Sequence, residues 1–137
     1  MIDSKYTLSL LEKATEGLLY LSETDAPLVP FFWPDANAAS LSPLSAARVL
    51  GFAGDKPDAP VKTTTLATFF RAATKEESWQ SAQERAETSR FKDLVTTIKS
   101  TLKQPQVFRV GKVEMDVYIV GIVEGGYAGI KTRIVET

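Results

Sequence analysis

The chain has 137 residues, 44% hydrophobic and 24% charged, with a net charge of −1, no cysteine and no histidine. That length and balance fit a single globular domain with a core of its own. Disulfides, thiolate zinc sites and Ser-His-Asp or Cys-His catalysis are excluded, and the even charge argues against both a broad basic nucleic-acid face and DNA mimicry by bulk negative charge.

Taken in chain order, Ser4 reads as an N-cap for a helix running to about Leu21, with Leu8, Leu11, Thr15 and Leu18 along its apolar stripe. Residues 1–24 carry Asp3, Lys5, Glu12, Lys13 and Glu16 and do not read as a signal peptide. No apolar run approaches the roughly 20 residues of a membrane span, so a cytoplasmic protein without membrane contact is the expectation. Leu21-Ser22-Glu23-Thr24-Asp25 is a polar, acidic loop, and Val29–Trp33 a short apolar strand whose Pro30 belongs at a sheet edge or strand start. Residues 34–42 read as loop. A short helix follows, with Ser42 as N-cap, Pro43 in its first turn and Gly51 just past its end. Residues 51–60 are glycine- and proline-rich but lack the phosphate-loop spacing.

Val61–Thr64 reads as a strand and Thr65 as the cap of a helical turn that buries Phe69 and Phe70. The polar stretch 74–83 is interrupted only by Trp79. A long helix from about Glu84 to Lys103 places Phe91, Leu94, Val95, Ile98 and Leu102 on one stripe, with Pro105 closing it. Three strands complete the chain. In the second, Val113, Met115, Val117 and Ile119 recur with period two. Glu124-Gly125-Gly126-Tyr127 makes a turn, and the last strand alternates Ile130, Thr132 and Ile134 with Lys131, Arg133 and Val135. Connections this short force antiparallel pairing. The expected fold is α+β: a three-layer α-β-α sandwich on a mainly antiparallel sheet.

Net charge hides a gradient. Residues 1–35 hold two lysines against six acids, whereas residues 90–137 hold eight basic and five acidic groups. Four places could carry chemistry. Glu114 and Asp116, about 7 Å apart along one strand face, could hold Mg²⁺ or work as an acid–base pair; Lys131 and Arg133 on the next strand offer an ordinary cross-strand pairing instead. Trp79 is either an interface anchor or a ring tucked under its own loop. Glu23 is either a contact for a partner's cation or a solvated loop acid. Thr137, one step beyond a strand, carries oxygens suited to a hard cation, or is a chain end without function.

The segments EGLLYLSE (16–23), FFRAAT (69–74) with the following Trp79, LKQPQVFRVGKVEMDVYIVG (102–121) and AGIKTRIVET (128–137) together resemble the nuclease A inhibitor family of cyanobacteria. The likeness runs from about Ser4 to the last residue and is thinnest between Pro34 and Asp58. The resemblance implies the sandwich of the plant pathogenesis-related proteins and no enzymatic activity or cofactor. It also implies one-to-one inhibition of a Mg²⁺-dependent, sugar-non-specific endonuclease of the ββα-metal type by a monomer that does not itself bind nucleic acid. By the same resemblance Thr137 reaches the nuclease's catalytic metal, Glu23 meets the basic substrate groove, and Trp79 and Glu77 contact the enzyme. Glu77 and Ser78 stand where the family pattern carries an amide and an acid. That difference keeps open a second reading, a non-nuclease protein bound through the same face. An enzyme built on Glu114, Asp116 and Mg²⁺ is a third.

Overall fold

The computed structural model describes residues 4–35, 45–54 and 58–136. Its elements are α1 (Ser4–Thr15), β1 (Leu19–Leu21), β2 (Asp25–Pro27), β3 (Val29–Pro34), α2 (Ala46–Ala53), β4 (Val61–Thr64), α3 (Leu66–Phe69), α4 (Arg71–Thr74), α5 (Ala82–Thr101), β5 (Lys103–Gly111), β6 (Glu114–Val123) and β7 (Gly126–Val135). β1 and β2 pair as a separate hairpin, and the other strands form one sheet in the order β3-β7-β6-β5-β4, antiparallel throughout. Among the described residues no helix is long and apolar enough to cross a membrane.

The period of two in β6 does more than one core's work. Met115, Val117 and Ile119 point into a core with Leu11 of α1, Phe69 and Phe70, and Phe91, Leu94 and Ile98 of α5. The intervening Tyr118, Val120 and Ile122 point the other way and form a second core with Phe108, Val110, Tyr127 and Val49 of α2. Both faces of the central strand are therefore buried, where alternation alone implied one. Val123 pairs with Gly126, so the β6–β7 turn is the two-residue Glu124-Gly125, with Gly125 at φ +81°. Arg48 ties α2 to the sheet. Its guanidinium donates to the Tyr127 hydroxyl at 3.0 Å and to the Asp35 carboxylate, and lies over the Phe52 and Tyr127 rings.

Several boundaries differ from the expectation. The first helix stops at Thr15 rather than Leu21, because Gly17 enters the left-handed region at φ +73° and turns the chain. Leu19–Leu21 is then strand, paired with Asp25–Pro27. The second helix is capped by Ser45, whose hydroxyl accepts from the Arg48 amide, and ends on Gly54 at φ +77°; Gly51 lies inside it. Ser42, Pro43 and the expected loop 36–42 lie outside the described residues. α5 begins two residues early, with a reciprocal cap between Ser81 and Glu84. It also ends at Thr101 rather than Lys103 and is not closed by Pro105: Leu102 is already extended, and Pro105 sits in β5 at a register shift between Lys103 and Gln106, where a missing amide hydrogen breaks no ladder bond. The edge position of Pro30, the Thr65 cap and the burial of Phe69 and Phe70 match the expectation.

Candidate functional site

Early termination of α1 creates the site. Because the chain turns at Gly17, the β1–β2 hairpin lies against the far end of β7. The Ser22 hydroxyl accepts from the Val135 amide at 3.0 Å, and the Glu23 amide donates to the Val135 carbonyl at 3.3 Å. Exposed Glu23 is thus pinned by its backbone to the end of the last strand. One residue further on, the Glu136 amide donates to the Val113 carbonyl at 2.9 Å, and its carboxylate takes a charge-assisted bond from Arg109 at 2.6 Å. Thr137 lies outside the described residues, but the residue before it is held from two sides.

Trp79 occupies the loop between α4 and α5. Gln80 and Arg85 clamp that loop. The Gln80 side-chain Oε1 accepts from the Glu77 backbone amide at 3.1 Å, its Nε2 donates to the Lys75 carbonyl and the Thr88 hydroxyl, and Arg85 donates to the Ser78 carbonyl. With these contacts made beneath it, the indole is 72% exposed, the opposite of a ring packed under its own loop. Glu77 is half-buried and paired with Lys75 at 3.1 Å.

Strand pairing in β1 leaves Leu19 45% and Leu21 66% exposed, on either side of Tyr20. They and Trp79 line a cleft of about 250 Å³ between the hairpin and α5, with Phe91, Glu84 and Glu87 among its other walls. Nothing in the apolar run Leu18–Leu21 distinguished these leucines from core; the one available signal was Gly17 ahead of them. Tyr20 anchors the hairpin, stacking on Phe69 at 4.3 Å between centroids and donating its hydroxyl to the Phe69 carbonyl at 2.6 Å. Burial raises the Tyr20 phenol above its ordinary value of 10.0, with Arg109 opposing and Glu136 reinforcing that shift. A raised folded value means stability present below the unfolded value and lost as pH rises through the folded one. Urea unfolding between about pH 8 and 11 is therefore expected to show the native chain losing stability above pH 10 more steeply than Tyr20→Phe. Equal slopes would remove Tyr20 as the cause.

Asp116 is 2% exposed and stands opposite Arg133, with its carboxylate 3.5 Å from the guanidinium, while Lys131 lies 5.5 Å above the Tyr118 ring. Asp116 thus follows the expected cross-strand pairing, whereas Glu114 stands exposed opposite Val135. Among the described residues no group of three or more acids could hold a metal.

The hairpin that holds Glu23 against the end of β7 also supplies Leu19 and Leu21 to the exposed apolar cleft carrying Trp79. Its features are those of a protein-docking surface: a large aromatic, small aliphatic neighbours and a charged rim. The family described as nuclease A inhibitor-like protein matches the chain over residues 5–137. No curated protein matches it.

Proposed function

The chain belongs to the nuclease A inhibitor-like protein family, and on that premise we propose that it inhibits a Mg²⁺-dependent, sugar-non-specific endonuclease of the ββα-metal type. It acts as a monomeric, non-enzymatic α-β-α sandwich, resembling the pathogenesis-related proteins, and binds its nuclease one to one in the cytoplasm. Such a nuclease holds a phosphodiester between a metal and basic side chains. The inhibitor presents oxygens in the same places: the Thr137 hydroxyl toward the nuclease's Mg²⁺ and the Glu23 carboxylate toward its basic groove. Trp79 and Glu77 fix the orientation from one side.

The observation that carries this reading is the pair of hydrogen bonds joining Ser22 and Glu23 to Val135. They hold the backbone of Glu23 beside the end of β7, which lowers the ordering cost of presenting its exposed side chain to a partner. The acids concentrated in residues 1–35 also favour approach to a basic groove. Glu77 favours the second reading, a different protein partner, because its carboxylate is paired with Lys75 in the place where the family pattern carries an amide.

Plasmid degradation by a ββα-metal nuclease in Mg²⁺, titrated with the intact protein and with a form lacking Thr137, tests the proposal. Cutting is expected to stop near one-to-one with the intact protein and to persist with the shortened one. Equal inhibition by both would remove the role of Thr137. No inhibition at excess of a folded protein would overturn the nuclease reading in favour of another partner.

A further inference from the structure

The cleft between β1 and α5 has a composition that neither the general shape of a docking face nor the family match explains. Its walls are apolar: Leu19, Leu21, Trp79 and Phe91, with two alanines of α4. Its charged lining residues are Glu84 and Glu87, and no cation lines it. At about 250 Å³ it exceeds the cavity of about 150 Å³ that accepts a benzene ring. Glu87 makes no ion pair among the described residues.

We infer that this cleft is a slot for one arginine side chain of the bound protein. An arginine has a three-methylene stem to lie along Leu19 and Leu21, and a planar, weakly hydrated cation to stack on the Trp79 indole. Its fork of N–H donors can engage two neighbouring carboxylates at once, and Glu84 and Glu87 stand three residues apart on α5. A purely apolar plug would strip water from Glu84 and Glu87 and return no partner to them. A lysine would pair with one carboxylate but could not stack in the same way. Glu84 is a reliable anion here, because its cap bonds to Ser81 hold its carboxyl below the usual glutamate value. The inference rests on this face being the docking face, but not on the partner being a nuclease.

The test uses the whole chain and single amino-acid derivatives as probes. N-acetyl-arginine amide, N-acetyl-lysine amide and N-acetyl-leucine amide are titrated separately, following the Trp79 indole N–H by NMR, with Trp79→Phe to assign it against Trp33. The arginine derivative is expected to give a saturable shift with millimolar affinity, at least about threefold tighter than the lysine derivative. The double variant Glu84→Gln/Glu87→Gln should weaken it at least about fivefold, while Glu12→Gln, on the remote face of α1, leaves it unchanged. Glutamine at position 84 keeps the helix cap, so the double variant stays folded. Leucine binding as well as arginine, or an arginine shift that neither saturates nor responds to the double variant, would overturn the slot. The plasmid assay separates the two claims. Inhibition without arginine binding sinks the slot alone, and arginine binding without inhibition sustains the slot and sinks the nuclease.

Discussion

Trp79→Ala is expected to weaken inhibition of the nuclease by roughly 30- to 1000-fold, equivalent to about 2–4 kcal/mol. The size follows from where the ring stands. At 72% exposure it contributes little to the folded chain, and under the proposed function its burial is completed against the nuclease. An indole that is desolvated on binding, with Leu19 and Leu21 beside it, has the ingredients of an energetic anchor. The loop that carries it is held by Gln80 and Arg85 and not by the indole, so truncation leaves the loop in place. Unfolding midpoints should accordingly change by no more than about 0.5 kcal/mol, as for other surface substitutions. The measurement is an inhibition titration paired with urea unfolding. Full inhibition by the alanine variant would remove Trp79 from the interface, and a large stability loss would show that the ring packs after all.

Gly129→Ala is expected to destabilise the protein by about 3 kcal/mol or more, a large share of the 5–15 kcal/mol of a typical domain. Gly129 lies in the middle of β7, opposite Phe31 on one side and Val120 on the other. A Cβ there would stand 1.7 Å from the Ile119 carbonyl oxygen and 2.9 Å from the Val120 Cα. Both obstacles are backbone, so no rotamer change relieves them, and β6 and β7 must part locally. Gly51→Ala is the control. It is the same substitution inside α2, where an added Cβ meets nothing within 4 Å, and a helix interior favours alanine by about 0.5–1 kcal/mol. Urea midpoints moving in opposite directions would confirm that steric approach governs position 129. A mild effect there would mean that the strands can re-space.

Those two positions also mark what could be read from residues alone. Strands β5 to β7 were legible because period two and a double glycine are local signals, and the stripe on α5 because 3.6-residue periodicity persists over its length. The end of α1 was not legible. Leu18 to Leu21 prolong the helical stripe, and the single contrary signal, Gly17, acts through a backbone angle that composition does not display. The second core escaped because Tyr118, Val120 and Ile122 become buried only when α2 and the aromatics of β3 cover them. At the site, Glu23 and Trp79 stood out by residue type in polar surroundings. Leu19, Leu21, Glu84 and Glu87 did not, since a cleft between a hairpin and a helix distant in sequence exists only after both have docked. The Arg109–Glu136 bond is likewise a product of strands meeting.

The strand order also decides which backbone the sheet leaves open at its edges. Val117–Val123, VYIVGIV, is uncharged, β-branched and free of proline, which is the profile of a segment that stacks into fibrils. It sits at the centre of the sheet, with β5 on one side and β7 on the other. The outermost strands are poor templates. Two of the six residues of β3 are prolines with no amide hydrogen to offer, and β4 is four residues long and carries Lys62. The finished sheet therefore ends in strands that offer little to an added strand. During synthesis β7 emerges after β6, and until it pairs, the fibril-prone segment is itself an edge. Once β7 has emerged, the two-residue Glu124-Gly125 turn leaves little loop to close before it covers that edge.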